Sequence, residues 1–229
     1  MMPRRVASLL AAFALALSAC QQPATASERT VEAPEAASPA KEGEGLKVAI
    51  FAGGCFWGVE GVFSHVKGVK RAVSGYHGGS SLSAKYGAVS SGVTDHAEAV
   101  RVVYDPAQVR YDQLLQIFFS VVTDPTLLNR QGPDVGMQYR SALVPMSAEQ
   151  RRVATAYLKQ MGASGLWDDK IVTRIENYKK FYLAEDYHQD FIARNPRQRY
   201  IVYWDKPKIA AFKAMYPQFY KADFLRDAK

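Results

Sequence analysis

The sequence predicts a single domain of the α/β or α+β class, and two observations carry that reading. Short apolar runs of strand length alternate with stretches in which large apolar residues recur every three to four positions. The chain has 229 residues, 48% of them hydrophobic, enough to bury one ordinary core. Its formal charge of +7 is interleaved with acids along the chain rather than gathered in a stripe. That pattern argues for a generic basic surface and against a nucleic-acid footprint.

The first element is not part of the fold. "MMPRRVASLLAAFALALSAC" has a basic start at Arg4 and Arg5, then an apolar run from Val6 to Leu17 too short to span a bilayer. Residues 1–19 therefore read as an export signal. "LSAC" resembles the lipobox of bacterial lipoproteins, which makes Cys20 the expected lipidation site and mature N-terminus. The expected location is the bacterial cell envelope, facing the periplasm and lipid-anchored to the membrane; the alternative is an ordinary cleaved signal and a soluble periplasmic or secreted protein. Residues 20–45, rich in Ala, Pro, Glu, Ser and Thr, read as a flexible tether because they offer little surface to bury against their ordering entropy. The catalytic domain is then 46–229.

Within it, "KVAIFAGG" reads as a strand stopped by Gly53 and Gly54. "CFWGVEGVFSHV" spaces Phe56, Val59, Phe63 and Val66 helically, so a helix starts at or beside Cys55. "AEAVRVVYDP" is a second strand ended by Pro106, and "YDQLLQIFFSVV" a helix. "YRSALVPM" is a strand, followed by "SAEQRRVATAYLKQMG", where Ser147 with Gln150 three residues on has the pattern of a capping box. A strand at 170–176, a helix over "AEDYHQDFIARN" ended by Pro196, and a last helix around "KIAAFKAMY" complete the series. Spacing does not give the strand order.

With lipid on Cys20, Cys55 would be the one free thiol and no intrachain disulfide could form. A cysteine at a helix start faces unpaired N–H groups and the positive end of the dipole, both of which favour the thiolate nucleophile. Gly53 and Gly54 would let a ligand come close to the backbone, and Phe56 and Trp57 could wall a small apolar pocket. Against this stands the ordinary fate of a free cysteine, as core filler.

Five blocks, "GCFWGVE" at 54–60, "GYHGG" at 75–79, "HAEAVRVVYDP" at 96–106, "QYRSAL" at 138–143 and "AEDYHQDF" at 184–191, resemble the class A peptide-methionine sulfoxide reductases, in order from about Val48 to Trp204. The resemblance implies a two-layer α/β sandwich with a ferredoxin-like core, a mixed sheet and flanking helices. It implies reduction of the S-epimer of methionine sulfoxide, free or in oxidised proteins. Cys55 would attack the sulfoxide sulfur and take the oxygen as a sulfenic acid, which a thiol can reverse. Glu98 would be the acid that protonates that oxygen, and burial would keep it neutral. Glu60 lies nearer to Cys55 in sequence but need not face it. Tyr86 and Tyr139 would hold the oxygen through neutral hydroxyls. Asp134 would help bind the substrate backbone and support reduction of the sulfenic acid, and Phe56 and Trp57 would enclose the S-methyl group.

The helical-looking C-terminal tail lacks the recycling cysteines that many members of the family carry, and Ser90 stands where another cysteine sometimes occurs. The expected cycle therefore uses Cys55 alone, with no cofactor and an external thiol reductant such as a thioredoxin-like protein or dithiothreitol. His65, His77, His96 and His188 lack metal-ligand spacing and there is no CxxC, so no metal is expected. The protein is expected to be a monomer whose only other partner is the membrane through Cys20. Two rival readings remain at this level: a cysteine peptidase or thiol peroxidase, with His188 open as a base for the peptidase, and a non-catalytic lipoprotein that binds Met-containing peptides.

Overall fold

A computed structural model describes residues 30–226. The expected signal 1–19, Cys20 and residues 20–29 of the expected tether lie outside the described residues. The elements in chain order are β1 (Lys47–Gly53), α1 (Phe56–Ser64), β2 (Val69–His77), α2 (Tyr86–Ser90), β3 (Ala97–Tyr104), α3 (Tyr111–Ile117), β4 (Arg130–Gln131), β5 (Asp134–Val135), β6 (Ser141–Val144), α4 (Ala148–Ala163), β7 (Arg174–Ile175), β8 (Phe181–Leu183), α5 (Phe191–Arg194) and α6 (Lys206–Met215). π-helical turns at Phe118–Val122 and Ile201–Asp205 extend α3 and lead into α6. A 3-10 turn, Met137–Tyr139, precedes β6.

The main sheet has the order β7-β6-β1-β3-β2-β8. Every pairing in it is antiparallel except β6 with β7, so the sheet is mixed. The inner four strands with α1 and α3 form a βαββαβ unit in the order β6-β1-β3-β2, the ferredoxin-like core. Alternate residues of β1 divide between the two faces: Ala49 and Phe51 join the side chains of α1, α3, α4 and α6, and Ile50 and Ala52 join Val73, Ala99, Val144 and Phe181 on the other side.

β2 has no clean alternation in sequence because its second half is buried throughout. The capping pattern at α4 is half realised. Ser147 accepts from the Gln150 N–H, but the Gln150 side chain accepts from the Met146 N–H and donates to the Val48 carbonyl and to the Tyr104 hydroxyl. The helix expected over "AEDYHQDFIARN" shrinks to α5. Gln189 accepts from the Ser74 N–H and donates to the Ser74 and Ala184 carbonyls, filling the place of a strand residue beside β2. Asp190 follows with a φ of 53°, which ends any helix running into it.

The tether reading does not hold for residues 30–45. Ala33 and Ala40 are buried, and the Val31 and Ala33 N–H groups bond Ser120. The Ala40 N–H donates to Asp112, and the Pro34 carbonyl accepts from Tyr157. Glu42 accepts from the Tyr104 hydroxyl and from the N–H of Tyr111, the first residue of α3. A segment poor in large apolar residues is held instead by side chains that satisfy its backbone and by a carboxylate at a helix N-terminus. The ordered chain therefore begins well before Leu46.

Candidate active site

Sheet register brings the expected residues to one end of the strands. Gly53, the last residue of β1, pairs with Ser141 of β6, while Phe51 pairs with Val100 of β3. Cys55 thus leaves β1 beside the start of β6, where Tyr139 stands, and beside the start of β3, where Glu98 stands. Gly54 makes the turn with a φ of +93°. The glycines do not leave clearance for substrate as expected. A Cβ on Gly53 would lie 2.6 Å from the Phe118 ring, and one on Gly54 would lie 2.7 Å from Cβ of Gln131, so protein fills that space.

Cys55 is the N-cap residue of α1, half-buried and free. Its sulfur meets the Trp57 N–H, as the helix-start reading required. The net effect is nevertheless opposite to the expected one. Burial, then the carboxyl groups of Glu98, Asp205 and Asp134, push the thiol well above its ordinary value, outweighing that N–H. The balance favours the thiol over the thiolate.

Glu98 is buried and accepts from the Phe56 N–H at 3.0 Å, taking one of the unpaired donors of the first turn of α1. Burial raises its pKa to about 8, and Asp134 and Asp205 add to the rise against that hydrogen bond. It is therefore a neutral acid at neutral pH, next to the sulfur's own helix turn.

Burial, with Glu98 and Cys55 as neighbours, pushes Tyr86 up to about 12, and burial, Glu98, Asp134 and Cys55 push Tyr139 further. Both phenols keep their protons within the field of the sulfur and the acid. Tyr86 is held from behind: its N–H donates to Glu185, which also accepts from Tyr76. Asp134, on the β4–β5 hairpin, accepts from the Tyr200 hydroxyl, and burial raises its pKa against Tyr200 and Lys208.

Phe56 and Trp57 do form part of an aromatic wall. Trp57 stacks flat on Phe191 with centroids 3.7 Å apart and meets Tyr200 edge-on at 5.9 Å, and Phe56 lies 5.0 Å from the His188 ring. The Trp57 indole N–H donates to His188 Nδ1 at 3.1 Å. That bond fixes the proton of the neutral His188 ring on Nε2, and burial favours the neutral ring. His188 orients the tryptophan and has no bond to Cys55, unlike a peptidase base. Glu60 is buried away from this chemistry, accepting from the Ser74 hydroxyl and the Asp190 N–H.

Sequence reasoning missed Tyr200, Phe191, Glu185 and Asp205. Glu185, His188 and Phe191 were within reach, since "AEDYHQDF" contains all three. Tyr200 and Asp205 lie in the tail, where nothing in the local pattern marks either as part of the site. Asp205 packs so close to the first turn of α1 that a Cβ on Gly58 would lie 2.4 Å from its Oδ1.

A cysteine sulfur beside a neutral buried acid, phenol donors and an aromatic wall defines a thiol enzyme that delivers a proton as well as a nucleophile. The profile of the peptide methionine sulfoxide reductase family matches residues 47–219. A relative named peptide methionine sulfoxide reductase MsrA 2, from Mesorhizobium japonicum, is 53% identical over 79% of this chain and 92% of its own. One of the same name from Synechocystis is 51% identical over 78% and 83%. Among solved structures, reduced Mxr1 of Saccharomyces cerevisiae superposes with a TM-score of 0.59 at 34% identity, covering 67% of this chain and 87% of that one. Methionine sulfoxide reductase A of Corynebacterium diphtheriae gives 0.58 at 30% identity, covering 74% and 89%. The chain belongs to the peptide methionine sulfoxide reductase family, of the MsrA type. Its activity is the reduction of methionine sulfoxide.

Proposed function

We propose that this enzyme reduces the S-epimer of methionine sulfoxide through a sulfenic acid on Cys55, and that an external thiol, such as that of a thioredoxin-like protein, resets it. The observation that carries the reading is Glu98, held neutral by burial at the helix turn that begins with Cys55. Glu98 gives its proton to the sulfoxide oxygen while the Cys55 sulfur bonds to the substrate sulfur and releases its thiol proton, which restores Glu98. The resulting hydroxyl then passes from the substrate sulfur to the Cys55 sulfur, as the substrate S–O bond and the new S–S bond break. The substrate sulfur gains two electrons and leaves as methionine, and Cys55, having lost two, is left as Cys–SOH.

Tyr86 and Tyr139 donate to the oxygen as charge develops on it. Phe56 and Trp57 enclose the S-methyl group, and Asp134 with Tyr200 receives the substrate backbone. Fixing methyl, oxygen and backbone at three separate places selects one hand of the sulfoxide sulfur. Cys55 is the only free cysteine among the described residues, which supports reduction from outside. Exposing the reduced enzyme to each epimer without reductant tests the scheme. One methionine per enzyme from the S-epimer alone, with a trappable sulfenic acid on Cys55 and none in Cys55→Ser, is the expected result; turnover of the R-epimer or an intrachain disulfide overturns it.

We further propose that Cys20 is lipidated and that the enzyme repairs oxidised envelope proteins from the periplasmic face. The export-signal pattern and "LSAC" support this. Incorporation of a labelled fatty acid into the wild type but not into Cys20→Ser is expected, and equal labelling refutes it.

A further inference from the structure

The Arg140 side chain is 5% exposed and ties together three parts of the chain. Its Nε and Nη2 donate to the two carboxylate oxygens of Glu176 at 2.7 and 3.2 Å. Nη1 donates to the Met137 carbonyl at 3.0 Å, and Nη2 also reaches the Asp95 carbonyl at 3.2 Å. Met137 opens the 3-10 turn that ends in Tyr139. Asp95 lies in the loop that enters β3 at Ala97, one residue before Glu98.

The surroundings of the guanidinium are shaped to it. Gly78 has a φ of +107°, and a Cβ there would stand 2.9 Å from Nη2 and 3.0 Å from the Asp95 carbonyl. Burial would raise the pKa of Glu176, but His77, with Nδ1 3.5 Å from the carboxylate, and the hydrogen bonds from Arg140 outweigh it and hold the carboxylate at about 2. The fork is thus anchored on a permanent charge from the segment after β7. A lysine could keep the charge but not the planar set of donors that reaches two carbonyls and both carboxylate oxygens at once.

We propose that Arg140 is a positioning residue for the reduction: it sets the separation between the Tyr139 hydroxyl and the Glu98 carboxyl by clamping the turn that ends in Tyr139 to the loop that leads into the strand carrying Glu98. The inference rests on the roles proposed above for those two groups. Both segments meet on the one guanidinium, and the groups they position serve the same substrate oxygen. A shift of an ångström between them weakens the donor in the transition state while leaving the methyl cage and the bound substrate in place.

The test is a double-mutant cycle on the full chain, comparing wild type, Arg140→Lys, Tyr139→Phe and the double variant in single turnover of the S-sulfoxide. Arg140→Lys is expected to slow the first turnover about tenfold and to leave the half-saturating sulfoxide concentration within about twofold. In the Tyr139→Phe background the same change should cost less than about twofold, because the group it positions is gone. Equal factors in both backgrounds, no slowing, or a slowing matched by weaker substrate binding overturns the proposal while leaving the role of Tyr139 intact. A Tyr139→Phe enzyme as fast as wild type removes the role of Tyr139 itself and the proposal with it. If Arg140→Lys does not accumulate as folded protein, Glu176→Gln, which loosens the fork from its far end, takes its place in the cycle with the same expected factors.

Discussion

Glu98→Gln should make the protein more stable and nearly inactive, and the gain should depend on pH in a calculable way. Glu98 has its pKa raised from 4.5 to about 8. Between those values the unfolded chain carries a carboxylate and the folded chain a neutral acid, so the folded state binds the extra proton and loses stability as pH rises. The loss runs at about 1.4 kcal/mol per pH unit. It is absent below about pH 4.5, reaches roughly 3 kcal/mol at pH 7 and levels off near 5 kcal/mol above pH 8. A glutamine can still accept from the Phe56 N–H and carries no proton to lose. Urea unfolding of both proteins from pH 4.5 to 9 should show curves that meet at the acid end and diverge by those amounts, with equal m-values. Single turnover of the S-sulfoxide by the variant should fall by roughly 10² to 10⁴. A stability gap that does not change with pH would refute the raised pKa, and a variant that keeps its rate would refute the assignment of Glu98 as the acid.

Two further outcomes follow from the same geometry. Alkylation of Cys55 by iodoacetamide should rise with pH through a midpoint above that of a free thiol, because burial and the surrounding carboxyl groups disfavour the thiolate; a midpoint below 7, set as an order-of-magnitude mark for an activated cysteine, would overturn that balance. Glu42→Ala should lower unfolding stability by about 1 to 3 kcal/mol, since the Tyr104 hydroxyl and the Tyr111 N–H lose their acceptor, and an unchanged urea midpoint would show that segment 30–45 contributes nothing to the fold.

The path from β1 through Cys55 into α1 was legible because an apolar run, a glycine stop and helical spacing follow one another within twenty residues. The rest of the site was legible only through resemblance, since Glu98 on an alternating strand or Tyr139 before another looks like ordinary surface until the register places both beside Cys55. β2 escaped because a strand covered on both faces does not alternate. The thiol was misread because the helix-start argument weighs one N–H in isolation, whereas the folded chain adds burial and three carboxyl groups. Gly53 and Gly54 were misread for a related reason: what occupies the space over a glycine, here Phe118 and Gln131, comes from far along the chain. Residues 30–45 looked unable to order themselves because only apolar burial was counted, and their order comes from hydrogen bonds to side chains 62 to 125 positions away.

The docking of that segment limits how far the fold can stand from Cys20. The 26 residues from Cys20 to 45 could extend to about 85 Å, whereas the ten that precede residue 30 span at most about 35 Å in any conformation. With the proposed attachment at Cys20, the fold would be confined to a shallow layer over the anchoring membrane. Its clients would then be proteins that sit on, or pass close over, the same bilayer, and a lengthened linker should widen the range of proteins it repairs without touching a single residue of the site.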